Sequence, residues 1–393
     1  MNKEQDSPAI RIEQNEKQTN LQETEVKLRP HSPENFDAFR TKSKFLTQVY
    51  LSHPSEAYNL RVRETLTSDG AASYTATLKD AGTITDGAKQ RLEIETDISP
   101  DTFAYYAAQE QFPKIQKQRA KIIDGMTIDW FENGDTLIEI EDTARLLDAF
   151  AKGVTVSPEQ YENVSDDPLY DNESRAHSDY FVRTGSEALL PPATSIEQLA
   201  LTALQEITAH QITNTSSVIT ISGRSGSGKS TLSGQIIERI QANSPTVEVV
   251  TLSTDDYHRG KAWLDRYNNG EPWSDWDNEV VYDLAALSDD IAALQQGESI
   301  DRRSFNFSTQ ETERAEKLTP SPIIIVEGIY AGAQCLQEAA DLSYEIPTPL
   351  ATCIGQRIAR DRTQGRINES LSNPQDILRY LLENAEPTYQ KNR

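Results

Sequence analysis

Residues 217–240 read SVITIS, GRSGSGKS, TLSGQIIERI, three pieces that set the architecture of the second half of the chain. Ser217–Ser222 is short and nearly continuously apolar, the pattern of a strand buried on both faces of a parallel sheet. Gly223 to Ser230 has the spacing G-x-x-x-x-G-K-[ST] and stands between that strand and a helical stretch, the context in which the spacing makes a phosphate cradle. Glycines 223, 226 and 228 let successive backbone N–H groups converge on phosphate oxygens, and the following helix N-terminus adds positive potential. Ser225, Ser227 and Thr231 complete the cradle. Lys229 is expected to reach the β and γ phosphates of a nucleoside triphosphate, and Ser230 to hold magnesium.

Two further apolar runs, VEVVTLS (247–253) and PIIIVEG (322–328), repeat the buried-strand pattern with helical stretches between them, so this half reads as α/β with a parallel sheet. A capping-box pattern, Thr194 with Glu197, predicts a helix ahead of it. Asp255 and Asp256 follow the second strand at its carboxyl end, where open α/β sheets bind ligands; one of them can take a hydroxyl proton during phosphoryl transfer, or the two can simply cap a helix. Glu327 closes the third strand and suits magnesium. Arg357, Arg360, Arg362 and Arg366 crowd into QRIARDRTQGR; Arg357, Arg360 and Arg366 share a helix face and its end, which suits a clamp on a transferring phosphoryl group.

The first half has a different period. EVKL, YNLRVRE, SYTATLKD, RLEIETD, KIQKQRAKI, MTIDWF and TLIEIED alternate charged and apolar residues and are separated by turn-rich pieces, so an antiparallel β domain is expected, with helices at Pro33–Tyr50 and Pro100–Glu110. Alternation places Glu23, Glu25 and Lys27 on one face, and likewise Arg61 with Arg63, Arg91 with Glu93 and Glu95, Lys117 with Arg119 and Lys121, and Glu139 with Glu141. Periodicity alone allows two outcomes: an open sheet with one wet face, or a closed barrel whose charges line a lumen. Residues 1–20 read as disordered, and the second half of 153–192 as the interdomain linker.

The whole chain has 393 residues and a formal net charge of -24, with a mean hydropathy of -0.62. The acidity is spread over both halves and disfavours nucleic acid and anionic membranes as partners. Cys335 and Cys353 are too few for a disulfide framework or a zinc site. No run approaches a membrane span, and the first residues lack the apolar core of an export signal, so a cytoplasmic enzyme is expected.

Taken in order, GRSGSGKST, LSTDDYHR, DWDNEVVYD, FNF, VEGIYA and RIARDRTQGR resemble the uridine kinase and phosphoribulokinase group of P-loop kinases over about residues 216–390. That resemblance implies ATP as phosphoryl donor, Asp255 as base, Asp277 on the acceptor's sugar, Glu327 on the metal, and Arg357, Arg360 and Arg366 as a lid. The acceptor loop departs from the family: where uridine kinases carry a Tyr-Asp-Phe and then a histidine, this chain has Phe305-Asn306-Phe307 followed by Ser308, Thr309 and Gln310. The aromatic surface is kept and the hydrogen-bonding groups are not, which argues against uridine itself as acceptor. Family members also continue into a last strand beyond the point matching Arg393.

ETEVK, LRVRE, TLKD, RLEIE, KQR, IDWF and LIEIE similarly resemble, in order, the CYTH domains of triphosphate tunnel metalloenzymes over roughly residues 21–175. That likeness implies a lumen in which Lys27, Arg61, Arg63, Lys79, Arg91 and Arg119 hold a triphosphate while Glu23, Glu25, Glu139 and Glu141 hold Mg2+ or Mn2+. The expected organisation is therefore a tail (1–20), an α+β antiparallel barrel tunnel (21–175), a linker and helix (176–212), and an α/β P-loop domain (213–393). Fused kinase and tunnel proteins known from plants have the kinase first; here it is second. Three functions stay open: ATP-dependent transfer to a nucleoside-like hydroxyl plus hydrolysis of a small polyphosphate; tunnel catalysis alone (triphosphatase, pyrophosphatase or adenylate cyclase) under a nucleotide-sensing P-loop module; or a phosphate-responsive scaffold.

Overall fold

The computed structural model describes residues 22–85, 88–141, 158–192, 194–209, 216–307, 309–364 and 373–392; the expected disordered tail, residues 1–20, lies outside them. In the first half β1 (Gln22–Pro30), β2 (Lys44–Tyr50), β3 (Tyr58–Leu66), β4 (Ala72–Asp80), β6 (Ala88–Asp97), β7 (Lys114–Ile123), β8 (Met126–Phe131) and β9 (Thr136–Ile140) pair in the order β1-β9-β8-β7-β2-β3-β4-β6, and β6 pairs back onto β1. The ring is closed. All of these pairings are antiparallel, and the short β5 (Thr83–Thr85) and β10 (Tyr161–Asn163) add to it outside the ring.

One expected helix is corrected. Pro33–Lys42 forms a 3-10 helix, but the chain then extends into β2. Lys44–Tyr50 is paired along both edges, with β3 and β7, and supplies the strand without which the ring could not close. A one-sided helical reading missed it because Phe45, Leu46, Val49 and Tyr50 fit either period.

The barrel is polar inside and apolar outside. Leu60, Val62, Ala76, Leu78 and Ile94 point outward into one buried layer, and Val26, Leu28, Ala120, Ile128, Ile138 and Ile140 into another under Phe36 of the 3-10 helix. Their sequence neighbours, Arg61, Arg63, Lys79, Arg91, Arg119 and Glu139, therefore point inward. One end of the lumen is filled by Tyr50, Ile115, Phe131 and Leu137, closed by Ala176 of the plug helix Asn172–Thr184. Asp171 caps that helix by accepting from the amides of Glu173 and Ser174. The plug helix crosses the position where the linker was expected to begin.

In the second half β11 (Ser217–Ser222), β12 (Val249–Ser253), β15 (Ile323–Gly328) and β16 (Leu342–Glu345) form a parallel sheet in the order β12-β15-β11-β16. One face packs on Leu232, Ile236 and Ile240 of the helix Lys229–Asn243 and on Ala200, Ala203 and Ile207 of the helix Ile196–Ala209. The other face packs on Leu284, Leu287, Ile291 and Leu294 of the helix Leu284–Gln295. The expected capping box is displaced by one residue: Ser195 Oγ accepts from the Gln198 amide and Gln198 Oε1 from the Ser195 amide. A hairpin, β13 (Ile300–Asn306) with β14 (Glu311–Leu318), stands apart from the sheet.

The two halves share a core. Ala351, Ile354 and Ile358 of the arginine helix Leu350–Gln364, and Ile377, Leu378, Leu381 and Leu382 near the C-terminus, pack on the outward layer formed by Val49, Leu60, Val62 and Ile94. Among the described residues no helix is long and apolar enough to cross a membrane.

Candidate active sites

Inside the barrel the expected cations are present and mostly engaged. Arg91 Nη2 donates to Glu25 Oε2 at 2.7 Å, and Arg63 Nη2 to Glu95 Oε2 at 3.0 Å. Lys79 Nζ is 3.2 Å from Glu93, and Lys27 Nζ is 3.8 Å from Glu25 and 3.7 Å from Asp171. Arg61 reaches the Tyr50 hydroxyl. Arg119 makes a two-pronged bond to Asp129, 2.6 Å for each arm, and also donates to Glu139. Lys117, with a fully buried side chain, donates to Asp129 at 2.5 Å. Burial, and next the neighbouring Arg119, bring the Lys117 ammonium down to about 8. Burial works against the charge of Glu139, yet Arg119, Lys117 and Lys27 together hold its carboxyl well below the usual range.

The lumen's polar groups are not satisfied by protein alone. The Nε atoms of Arg61 and Arg63, Thr75 Oγ1 and Asn172 Oδ1 are buried without a hydrogen-bond partner, and buried polar groups ordinarily find one. The guanidinium donors fit an anion. A cavity of about 250 Å³ is lined by Glu25, Lys27, Lys89, Arg91, Asp171 and Glu173 among others, and Arg61 and Arg63 are not part of that lining. Burial raises the Glu173 carboxyl to about 7 despite its bond from the Ser52 hydroxyl.

For metal, the described structure brings Glu25 and Glu139 to the neighbouring strands β1 and β9. The backbone of Glu23 lies in β1, whereas Glu141 falls just past the end of β9 and is exposed. The Glu141 amide carries the β8–β9 ladder one step further, to the Gly125 carbonyl, so the alternation keeps Glu141 on the face of Glu139 but at the exposed rim of the barrel. Among the described residues no three His, Cys, Asp or Glu side chains form a ready cage. Magnesium needs only one or two carboxylates when substrate phosphates supply the remaining oxygens, so Glu25 and Glu139 fit that use.

In the second half the loop has the required shape. Gly226 and Gly228 have φ of 81° and 95°, and a Cβ at Gly226 would lie 2.3 Å from the Cys353 carbonyl oxygen, so a side chain there is excluded on two counts. Lys229 Nζ donates to the carbonyls of Gly223 and Arg224 at 3.0 and 2.9 Å, and burial lowers its pKa. Ser230 Oγ lies 3.2 Å from both oxygens of Glu327, the hydroxyl and carboxylate pair expected to share magnesium. Ser227 Oγ is buried without a partner. Ser225 and Thr231 flank this set in the loop and first helical turn.

Asp255 and Asp256 lie in a 3-10 turn, Thr254–Tyr257, whose cap is Ser253; neither aspartate is spent as the cap. Asp256 accepts from the Phe305 amide, which leaves Asp255 facing Lys229 and Glu327. Arg357 Nη1 donates to both oxygens of Asp277, at 3.0 and 3.1 Å, and the Tyr380 hydroxyl donates to Asp277 Oδ2 at 2.7 Å. Burial pushes Asp277 up, but Arg357 and then Tyr380 outweigh it and hold the carboxyl down. Arg357, expected over the phosphates, is paired with Asp277 in this structure. Arg360 bonds its neighbour Asp361, and Arg366 lies outside the described residues. Phe305 is buried, and Gln310 sits at the hairpin turn with φ of 56°.

Sequence reasoning passed over several residues. His258 stands 4.2 Å from the Phe305 ring and edge-on to Tyr282; burial lowers it to about 4, so it is neutral. It brings an imidazole to Phe305 from a different segment than the one after FNF where uridine kinases carry a histidine. Lys117, Asp129, Asp171 and Glu173 were likewise not assigned, although the alternation containing Arg119 already placed Lys117 on the same face.

A closed, internally charged barrel joined to a phosphate loop on a parallel sheet defines a two-part protein of tunnel and P-loop kinase type. Family models agree: residues 21–157 match the CYTH domain and residues 218–374 the Phosphoribulokinase / Uridine kinase family. A uridine kinase of Shewanella sp. (strain ANA-3) is 30% identical over 158 residues, 39% of this chain and 73% of that protein. A uridine kinase of Tolumonas auensis is 28% identical over 157 residues, 39% of this chain and 72% of its own length. The chain thus belongs to the phosphoribulokinase/uridine kinase family through its second half and carries a CYTH domain in its first. Among solved structures, a protein described as a fructose transport system kinase from Silicibacter sp. TM1040 is 20% identical and covers 51% of this chain and 96% of its own, with a TM-score of 0.42. A Hippeastrum protein described as having a dominant triphosphatase activity is 17% identical and covers 43% and 98%, with a TM-score of 0.29.

Proposed function

We propose that the chain is a bifunctional phosphate enzyme: the tunnel hydrolyses a small triphosphate or polyphosphate with a divalent metal, and the P-loop half transfers the γ-phosphoryl of ATP to a hydroxyl of a nucleoside-like acceptor. The observation that carries this reading is that each half presents an anion-binding set beside an oxygen set suited to magnesium, Arg61, Arg63 and Arg119 beside Glu25 and Glu139 in one, Lys229 beside Ser230 and Glu327 in the other.

A triphosphate carries roughly four negative charges at neutral pH, and water can attack it only once those are offset. The tunnel's arginines cannot lose their charge and bind the anion by exchanging carboxylate partners for phosphate oxygens. The metal, held by Glu25 and Glu139, would supply the remaining positive charge. In the P-loop half Lys229 leaves its carbonyls for the phosphates, Ser230 and Glu327 would hold magnesium, and Asp255 takes the proton of the acceptor hydroxyl as its oxygen attacks the γ-phosphorus and the bond to ADP breaks. Asp277 with Arg357 orients the acceptor.

The test is phosphate release from tripolyphosphate with magnesium or manganese, run beside transfer of the labelled γ-phosphoryl of ATP to a panel of nucleosides and other polyols. Release abolished by Glu139→Gln and transfer abolished by Asp255→Asn are expected. Release with no transfer to any hydroxyl would leave the P-loop half a nucleotide sensor.

A further inference from the structure

The C-terminal helix runs Pro374–Tyr380, passes through a π-helical turn at Leu381–Ala385, and resumes as Glu386–Lys391. The π turn has a local cause. Pro387 has no N–H and its ring would collide with the carbonyl four residues back, and the Glu386 amide shifts one residue further, to the Leu381 carbonyl. The Leu382 carbonyl thereby loses its partner in either register: the amide that would reach it in an α-helix is Glu386, and the one that would reach it in a π-helix belongs to Pro387. The barrel fills that gap. The hydroxyl of Tyr106, a residue of the helix Pro100–Ala107, donates to Leu382 O at 3.0 Å.

Other barrel contacts flank this one. Arg379 donates to the Asp97 carbonyl and to Thr96 Oγ1, each at 2.8 Å, and Glu383 accepts from the Ser99 amide at 2.7 Å. The same helix reaches the kinase site from its other side. Glu386, itself buried, takes the guanidinium of Arg224 in the phosphate loop with both carboxylate oxygens, at 2.8 and 2.9 Å. Tyr380 holds Asp277 through its carboxylate at 2.7 Å and its amide at 3.1 Å. Arg224 is also one of the two residues whose carbonyls hold Lys229.

We propose that this helix is a strut by which the tunnel barrel positions the kinase site, with Glu386 and Tyr380 as positioning residues for the phosphate loop and for Asp277. The inference rests on the nucleotide-binding reading of the second half. It adds that nucleotide affinity there depends on contacts with the other domain.

The test uses the full-length chain and a fluorescent Mg-ATP analogue, with Lys229→Ala defining the binding that belongs to the phosphate loop and tripolyphosphate hydrolysis reporting any general loss of fold. Glu386→Gln is expected to weaken the Lys229-dependent binding on the order of tenfold, the bidentate ion pair becoming a single bond from the guanidinium to a neutral amide oxygen. The double variant Tyr106→Phe/Arg379→Met, which removes hydrogen bonds between the helix and the barrel and none to a residue of the nucleotide site, is expected to weaken it about threefold. Tripolyphosphate hydrolysis by Glu386→Gln should stay within twofold of wild type. Wild-type affinity in both variants overturns the strut, as does a parallel loss of hydrolysis, which would make these contacts merely structural. If the wild-type chain shows no Lys229-dependent binding, the nucleotide reading falls and the strut with it.

Discussion

In the tunnel the cationic side chains come from separate strands, and most already lean on a carboxylate of the same lumen. In the phosphate loop the donors are adjacent in sequence, and Lys229 rests on two backbone carbonyls. The tunnel's charges are therefore part of its fold, whereas the loop's lysine is free to move to a ligand at little structural cost. Removing a cation should hurt the two regions differently.

Arg119→Ala gives the largest expected effect. Hydrolysis of tripolyphosphate should fall on the order of 10²-fold or more, and urea unfolding should show a loss of about 1.5–3 kcal/mol, because Asp129, with no exposed surface, and Glu139 lose one of two shared partners and keep only Lys117. Lys229→Ala should cut nucleotide affinity by about 10²-fold while changing unfolding stability by no more than about 1 kcal/mol. Equal stability losses in the two variants would break the contrast. Gly226→Ala sharpens it from the loop side: positive φ and the Cys353 carbonyl force the backbone to shift, at about 1–3 kcal/mol, and nucleotide binding should fall while tunnel hydrolysis persists.

The most gradual effect is in the pH dependence. Burial holds Glu173 of the plug and Glu56 of the β2–β3 loop at about 7. In the unfolded chain both titrate near the ordinary carboxylate value, so between about pH 4.5 and 7 the folded state binds more protons. Their contribution to stability is complete below that window and is lost as pH rises through about 7. Glu173→Gln and Glu56→Gln should flatten the decline by up to roughly 1 kcal/mol per pH unit each, measured by urea midpoints from pH 5 to 7.5.

The phosphate loop was legible because its residues are contiguous and its spacing is set by the backbone geometry of one turn. Ser217–Ser222 emerged as a strand over the residues expected. The barrel was legible through alternation, which gives which face a residue takes but not whether the sheet closes. Closure depended on β2, hidden in a stretch whose apolar residues fit both periods, and on a pairing between β1 and β6 that no local pattern announces. The cations singled out on the alternating strands lie on the inward face. Lys117 and Asp129 escaped because a buried ion pair looks in sequence like two more surface charges. His258, the Arg357–Asp277 pair and the contacts of the C-terminal helix depend on residues far apart in the chain.

The central claim is that two separate phosphate sites operate in one chain. Phosphorus NMR of the full-length protein, given tripolyphosphate and Mg-ATP with the acceptor panel, tests it with three proteins: wild type, Lys229→Ala and Arg119→Ala. Lys229→Ala is expected to keep tripolyphosphate hydrolysis and lose phosphoryl transfer, and Arg119→Ala to do the reverse. A single substitution that abolishes both reactions, or a wild-type protein that carries out neither, would contradict it.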